Sequence, residues 1–227
     1  MPIVDGIVQN SNEWLVARIG CGTASRAGDM LAKPVRGNGE LARRRNYRED
    51  LANERDQGRA IEHRVTPEMQ WGIDHQDEAR VRYEIETGLF LIEGGFWLHP
   101  QIPFFGASPD YLLPDGKGLV EVKCPTSRTH RRSFKHGEVD PDYVLQMAAQ
   151  MACTGREYCD YVSYDPRFPE DKQFWVKRFM RDEAFIHGME MEIEHFLYEV
   201  EQECGTGSSS IDARRDGGRA LAPTLVR

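Results

Sequence analysis

The sequence predicts an α/β fold in which a central mixed β-sheet is flanked by helices. Stretches with helical capping signals occupy the N-terminal part and return near the end, whereas residues 89–124 form short β-rich runs separated by Gly, Pro and Asp. Tryptophans are spread along nearly the whole length. We therefore expect one domain over residues 1–204, because this length suits a single core.

Four helical segments are predicted before residue 89. Two lie within residues 10–32, on either side of a Gly-rich turn, and Thr23 or Ser25 would cap the second. The others are expected over residues 40–57, which are strongly charged, and from Thr66 to Gly88. Proline in the first turn and glycine at the end are typical helix boundaries.

The runs after residue 89 predict a meander of strands. Their sequences are FLIEGGFWLH, IPFFGAS, DYLL and GLVEVKC. The later pattern predicts a helix at 141–153, strands at 158–164 and 173–181, and a helix at 182–203. The core-facing stripe of that last helix is expected to comprise Phe185, Met189, Ile193, Phe196, Leu197 and Val200.

The formal net charge of -8 speaks, taken alone, against a phosphate-rich partner. Its distribution matters more, because the acidic residues concentrate in 183–203. Two basic clusters are Arg43, Arg44, Arg45 and Arg48, and Arg128, Arg131, Arg132 and Lys135. Each is either a solvated helix face or a contact surface for phosphates.

No apolar run reaches the roughly 20 residues needed to cross a bilayer, and no export signal is recognisable. The five cysteines form an odd, scattered set without a C-x-x-C pair, which argues against disulfides and zinc. We expect a soluble, cytoplasmic protein. Residues 205–227 begin with GTGSSS and are expected to form a flexible tail, or an arm that orders on another subunit or on DNA.

Polar side chains converge around the strand GLVEVKC. Alternation places Glu121 and Lys123 on one face and Val120 and Val122 on the other, and Asp110 precedes by a short hairpin. Two carboxylates suit Mg²⁺, and a lysine can orient or deprotonate an attacking water. The alternative is a solvated strand face, but the apolar flanks favour a buried strand.

The chain resembles the phage lambda-type exonucleases, the viral recombinase branch of the PD-(D/E)XK nucleases, over Trp14 to about Arg181. The matching motifs are Arg18, Thr23-Ala24-Ser25, Ala32-Lys33-Pro34, Trp71-Gly72, Ser108-Pro109-Asp110, Glu121-Val122-Lys123-Cys124-Pro125, Tyr143 to Gln146 and Tyr164-Asp165-Pro166-Arg167. The resemblance implies a restriction-endonuclease-like core. It also implies Mg²⁺-dependent 5'-to-3' digestion of one strand of a linear duplex, with two ions and Mn²⁺ as a possible substitute.

The resemblance also implies a ring-shaped homotrimer. It further implies a single-strand annealing partner that receives the 3' single strand in homologous recombination. The implied metal ligands are Asp110, Glu121 and the Val122 carbonyl. Lys123 would be the catalytic lysine, with Gln146 beside it. Tyr143 and Gln146 share a helix face and could reach one substrate strand, although Gln146 could also be a surface glutamine.

Arg18, Thr23, Ser25 and Ser108 resemble the family's pocket for a terminal 5' phosphate, which suits cationic and hydroxyl donors. Helix capping is the alternative for Thr23 and Ser25. One position departs from the family: Gln76 stands where a glutamate normally serves the active site. Its amide can bond a metal-bound water but supplies no charge.

Competing interpretations are weaker. His63, His75, His99, His130 and His136 lack ligand spacing, and no motif indicates covalent catalysis. An endonuclease of the same superfamily would cut circular DNA, and an iron–sulfur exonuclease would need four clustered cysteines. A catalytically weakened module that binds DNA ends is the hypothesis of another class, motivated by Gln76.

Overall fold

Helices pack on both faces of a mixed five-stranded sheet in the computed structural model, which describes residues 9, 11–37, 39–61 and 64–204. The helices are α1 (Asn12–Arg18), α2 (Ala27–Met30), α3 (Ala42–Gln57), α4 (Pro67–Thr87), α5 (Ser127–His136), α6 (Pro141–Thr154) and α7 (Glu183–Glu203). The strands are β1 (Gly22–Thr23), β2 (Ile92–Glu93), β3 (Trp97–Leu98), β4 (Phe105–Ala107), β5 (Tyr111–Leu112), β6 (Gly118–Lys123), β7 (Tyr158–Tyr164) and β8 (Phe174–Met180). The predicted α/β class is confirmed.

The main sheet has the order β2-β5-β6-β7-β8, in which only β6 and β7 run parallel. A second sheet has the order β1-β4-β3, with β1 parallel to β4. The single meander predicted after residue 89 is therefore wrong. Strand β4 pairs with β1 from far earlier in the chain, and a long-range pairing of this kind leaves no local pattern.

Side chains of β6 separate two hydrophobic clusters. Val120 and Val122 pack with Ala79 and Tyr83 of α4 on one face. Leu119 faces the opposite way and joins the larger cluster formed with α2, α3, α6 and α7. The alternation predicted for this strand is confirmed, and Glu121 therefore points toward the α6 side of the sheet.

Helix α4 begins and ends where its capping residues predict. The Thr66 side chain accepts a hydrogen bond from the Met69 N–H, and Gly88 adopts the left-handed conformation with φ 72°. The predictions for α3, α6, β7 and β8 are confirmed with small shifts at the ends.

The second helix predicted within residues 10–32 is wrong in form. Thr23 lies in β1, a 3-10 turn covers Ala24–Arg26, and α2 has only one turn. Thr23 caps nothing with its side chain, because its N–H and hydroxyl group instead contact the Tyr47 hydroxyl.

Two further differences concern helix faces. Phe185 was predicted to face the core but is exposed. Ile186, the next residue, is buried in its place. Helix α5 was not predicted, since His130 and Ser133 are its only buried residues and no apolar period marks it. The tail predicted at 205–227 lies outside the described residues.

Candidate active site

The acidic residues predicted as metal ligands lie on β6 and immediately before its neighbour β5. Asp110 directly precedes β5, which pairs antiparallel with β6, and its Oδ2 accepts a 2.8 Å hydrogen bond from the Val122 N–H. Glu121 and Lys123 belong to β6, and the Lys123 Nζ lies 2.5 Å from the Glu121 Oε1. The three residues therefore converge at one end of the strand pair.

Glu121 is 1% exposed and is held by two glutamines of α6. Gln146 donates to its Oε1 at 2.5 Å and Gln150 to its Oε2 at 2.6 Å. Gln146 is thus a buried residue rather than a surface glutamine. Gln150 was missed by the sequence analysis, although its position one helical turn after Gln146 is a signal that could have found it.

A buried carboxylate without a positive neighbour is unfavourable, and the two acids affect each other. Burial raises the pKa of Asp110 to about 8, with repulsion from Glu121 as the second cause and a hydrogen bond from Gln76 opposing it. Burial lowers the pKa of Lys123, but the attraction of Glu121 and Asp110 outweighs it and the net direction is upward. These residues favour a bound cation.

The donors present fit Mg²⁺, which commonly takes one or two carboxylates and completes its shell with water and phosphate oxygens. Asp110 and Glu121 supply the two carboxylates. In the part of the chain that the structure describes, no group of three or more His, Cys, Asp or Glu residues gathers as a metal site. Asp77 is exposed, and Glu78 accepts from the Tyr164 hydroxyl at 3.3 Å. Neither residue therefore replaces the glutamate that the family normally has at the position of Gln76.

Other residues surround Lys123. The Tyr143 ring lies 5.0 Å from the Lys123 Nζ and stacks on Tyr161, with 5.9 Å between ring centroids. Tyr143, which is predicted to contact the substrate, therefore lies next to Lys123, the predicted catalytic residue. We name the following set the carboxylate cluster: Gln76, Asp110, Glu121, Lys123, Tyr143, Gln146 and Gln150.

The residues predicted for a 5' phosphate also come together. The Ser108 hydroxyl accepts from Trp14 Nε1 at 2.9 Å and from Arg18 Nη1 at 3.4 Å. Arg18 stacks on the Trp14 ring at 3.9 Å, and burial lowers its pKa. The Arg18 guanidinium group is therefore half-buried, and it is oriented by Ser108, which directly follows β4.

Thr23 and Ser25 form the other part of this group. Their hydroxyls lie 3.3 Å apart, and the Tyr47 hydroxyl accepts from the Thr23 N–H at 3.0 Å. Arg26 stacks on the Tyr47 ring at 4.1 Å. Tyr47 was missed because its neighbours in the sequence indicate only a charged helix. We name the following set the hydroxyl cluster: Arg18, Thr23, Ser25, Tyr47 and Ser108.

A short segment links the two clusters. Ser108 belongs to the hydroxyl cluster and Asp110 to the carboxylate cluster, so only Pro109 separates them. This segment packs closely on the β2–β3 loop, where a Cβ on Gly94 would lie 1.8 Å from the Pro109 carbonyl oxygen. The backbone therefore fixes the spacing between the clusters.

The histidines that the structure describes do not converge. His75 stacks on Trp71, and His99 lies 3.0 Å from Glu190. His130 is buried against Ser163, and His136 is exposed. His63 lies outside the described residues.

Residues 13–157 match the model of the YqaJ-like viral recombinase domain. The chain belongs to this family. An alkaline exonuclease (LHK-Exo) from Laribacter hongkongensis is 41% identical, with a TM-score of 0.78 and with 92% of this chain and 99% of that chain covered. LHK-Exo in complex with dAMP aligns at the same identity and coverage with a TM-score of 0.79.

A phage related exonuclease from Haemophilus somnus 129PT shares the fold, with a TM-score of 0.61 at 14% identity and with 80% of this chain and 94% of that chain covered. No curated protein matches the chain. Membership of the YqaJ-like family supports nuclease activity. Within the described residues, no helix is both long and apolar enough to span a membrane.

Proposed function

We propose that the protein is a metal-dependent 5'-to-3' exonuclease that degrades one strand of linear double-stranded DNA and leaves a 3' overhang for recombination by strand annealing. The observation that carries the proposal is the junction at Ser108-Pro109-Asp110. At this junction two carboxylates and a lysine lie next to a cationic, hydroxyl-rich cluster. That arrangement suits hydrolysis close to a strand end.

Asp110, Glu121 and the Val122 carbonyl would hold the metal ions. When bound, Mg²⁺ polarises the scissile phosphate and lowers the pKa of a water. Lys123 lies against Glu121 with its ammonium group at the same end of the strand, where it can orient the attacking water and offset negative charge on the phosphate. Gln146 and Gln150 hold the Glu121 carboxylate in one orientation.

The hydroxyl cluster would hold the terminal 5' phosphate. Arg18 supplies a charge-assisted donor, and the hydroxyls of Ser108, Thr23 and Ser25 supply further donors of the kind that a doubly charged phosphate requires. The proposal extends to a homotrimer around the duplex, to a single-strand annealing protein as partner, to Mn²⁺ as a substitute metal and to a cytoplasmic location. These rest on the family resemblance.

The test compares the wild type with Asp110→Ala on 5'-phosphorylated linear duplex and on closed circular duplex, both with Mg²⁺. We expect nucleotide release from the linear substrate that requires both Asp110 and Mg²⁺. Asp74→Ala is the matched control, because Asp74 is an exposed carboxylate on α4 that does not belong to the carboxylate cluster. Cutting of the circle would favour an endonuclease, and equal, negligible release by both proteins would contradict the proposal.

Gln76 favours a second candidate, a catalytically weakened module that binds DNA ends. The hydrogen bond from Gln76 to Asp110 puts a neutral amide where the family normally has a carboxylate. For such a module, Gln76→Glu would create activity that the wild type lacks. Gln70→Glu, on the exposed part of the same helix, is the control.

A further inference from the structure

Helix α5 carries a row of basic side chains on one face. Arg128, Arg131, Arg132 and Lys135 follow the i, i+3, i+4, i+7 spacing and are all exposed. Its opposite face buries His130 and Ser133. We name these four cations the α5 basic row, and no acidic residue lies within the helix itself.

The other basic cluster has a different environment. Arg43 lies 2.7 Å from Asp142, Arg44 lies 2.6 Å from Glu40 and 2.7 Å from Glu199, Arg45 lies 3.9 Å from Glu49, and Arg48 lies 2.6 Å from Glu203. These acids neutralise the four arginines, which we name the α3 cluster. Among the described residues, no acidic side chain forms an ion pair with any member of the α5 basic row.

Hydrogen bonds attach the helix to the sheet near the candidate active site. It begins four residues after Lys123, and Thr126 caps its first turn. His130 donates or accepts at 2.8 Å with the Ser163 hydroxyl and at 2.7 Å with the Lys172 carbonyl oxygen. In the parallel register of β6 and β7, Ser163 lies opposite Lys123. The hydrogen bond between His130 and Ser163 therefore connects α5 to the position next to the proposed catalytic lysine.

We infer that the α5 basic row is a contact surface for the phosphate backbone of duplex DNA, holding the substrate against the carboxylate cluster between cleavage steps. This inference rests on the proposed function. Four cations that have no ion-pair partner among the described residues, on a protein with a formal net charge of -8, complement a duplex, which carries one negative charge per about 1.7 Å of helix axis. The α3 cluster is excluded from this role because its charges are already paired.

The test is duplex binding as a function of salt, with a labelled, 5'-phosphorylated blunt duplex and Ca²⁺ in place of Mg²⁺. The variant is Arg131→Ala, Arg132→Ala and Lys135→Ala combined, which spares Arg128, the member closest to the active site in sequence. Loss of three phosphate contacts should reduce the slope of log K against log[salt] by about 2.7 and weaken binding at least tenfold near 0.1 M salt. In Mg²⁺, KM should rise while kcat at saturating DNA stays within about twofold.

The matched control combines Lys33→Ala, Arg45→Ala and Lys117→Ala, which removes the same charge from exposed residues that are paired with acids. Combined Arg131→Lys and Arg132→Lys should retain the wild-type slope, and thermal unfolding should show that every variant is folded. A slope that falls no further than in the control would overturn the inference. So would a loss confined to single-stranded DNA. If the triple variant showed the expected reduction in slope but the wild type released no nucleotides, the proposed function would fail and the contact surface would stand.

Discussion

The carboxylate cluster and the hydroxyl cluster differ in how the fold holds them. Glu121 is almost fully buried and bonded by three side chains from β6 and α6. In the hydroxyl cluster, Thr23 and Tyr47 are buried, whereas Ser25 is exposed and Arg18 and Ser108 are half-buried. Burial strengthens electrostatic effects on a reacting group, whereas partial exposure lets a chain end enter and leave. The difference supports our proposal that the carboxylate cluster performs the chemistry and the hydroxyl cluster binds the strand end.

The largest expected effect comes from the buried carboxylate. Glu121→Gln keeps the shape but removes a charge from the proposed metal site, so kcat should fall by at least about 10³-fold if a bound metal contributes several kcal/mol to the transition state. Single-turnover hydrolysis of duplex DNA measures it. Duplex binding in Ca²⁺ should change far less, and a parallel loss of binding and kcat would erase the distinction between the clusters.

Lys123→Ala should lower kcat by about 10² to 10⁴-fold, the range typical of a group that assists proton transfer. Removal of this cation also leaves Glu121 without its 2.5 Å ion pair. Metal affinity, measured by titration with Mn²⁺, should therefore persist while turnover is lost. Unchanged kcat would place the lysine outside the chemistry.

Arg18→Ala should act on substrate choice rather than on chemistry. Loss of one charge-assisted hydrogen bond, worth about 1.5–3 kcal/mol, should raise KM for a 5'-phosphorylated duplex about 10- to 100-fold. The KM for a 5'-hydroxyl duplex should hardly change. Equal effects on both substrates would show that Arg18 does not read the terminal phosphate.

The smallest expected effect is that of Tyr47→Phe. It removes the acceptor of the buried Thr23 N–H and should lower the free energy of unfolding by about 1–3 kcal/mol. Denaturant unfolding measures this change. Tyr198→Phe is the control, because that ring is 62% exposed. A Tyr47→Phe protein with unchanged stability would mean that the hydroxyl cluster does not depend on this bond.

The two clusters also differ in how far the sequence could predict them. Strand alternation was enough to place Val120 and Val122 opposite Glu121, because the period of a strand is local. Tyr47 and Gln150 could not be found in that way, since each contributes through a side chain that reaches another element. The pairing of β1 with β4 is equally invisible, because it joins residues more than 80 positions apart.

We propose that the carboxylate cluster hydrolyses a strand whose 5' phosphate is held by the hydroxyl cluster. The most direct measurement uses a linear duplex with one 5'-phosphorylated and one 5'-hydroxyl end, each strand carrying a different internal label. Wild-type protein with Mg²⁺ should digest the phosphorylated strand from its 5' end first. Arg18→Ala should abolish that preference, and Asp110→Ala should abolish digestion. Digestion from the 3' ends, or without regard to the phosphate, would contradict the account.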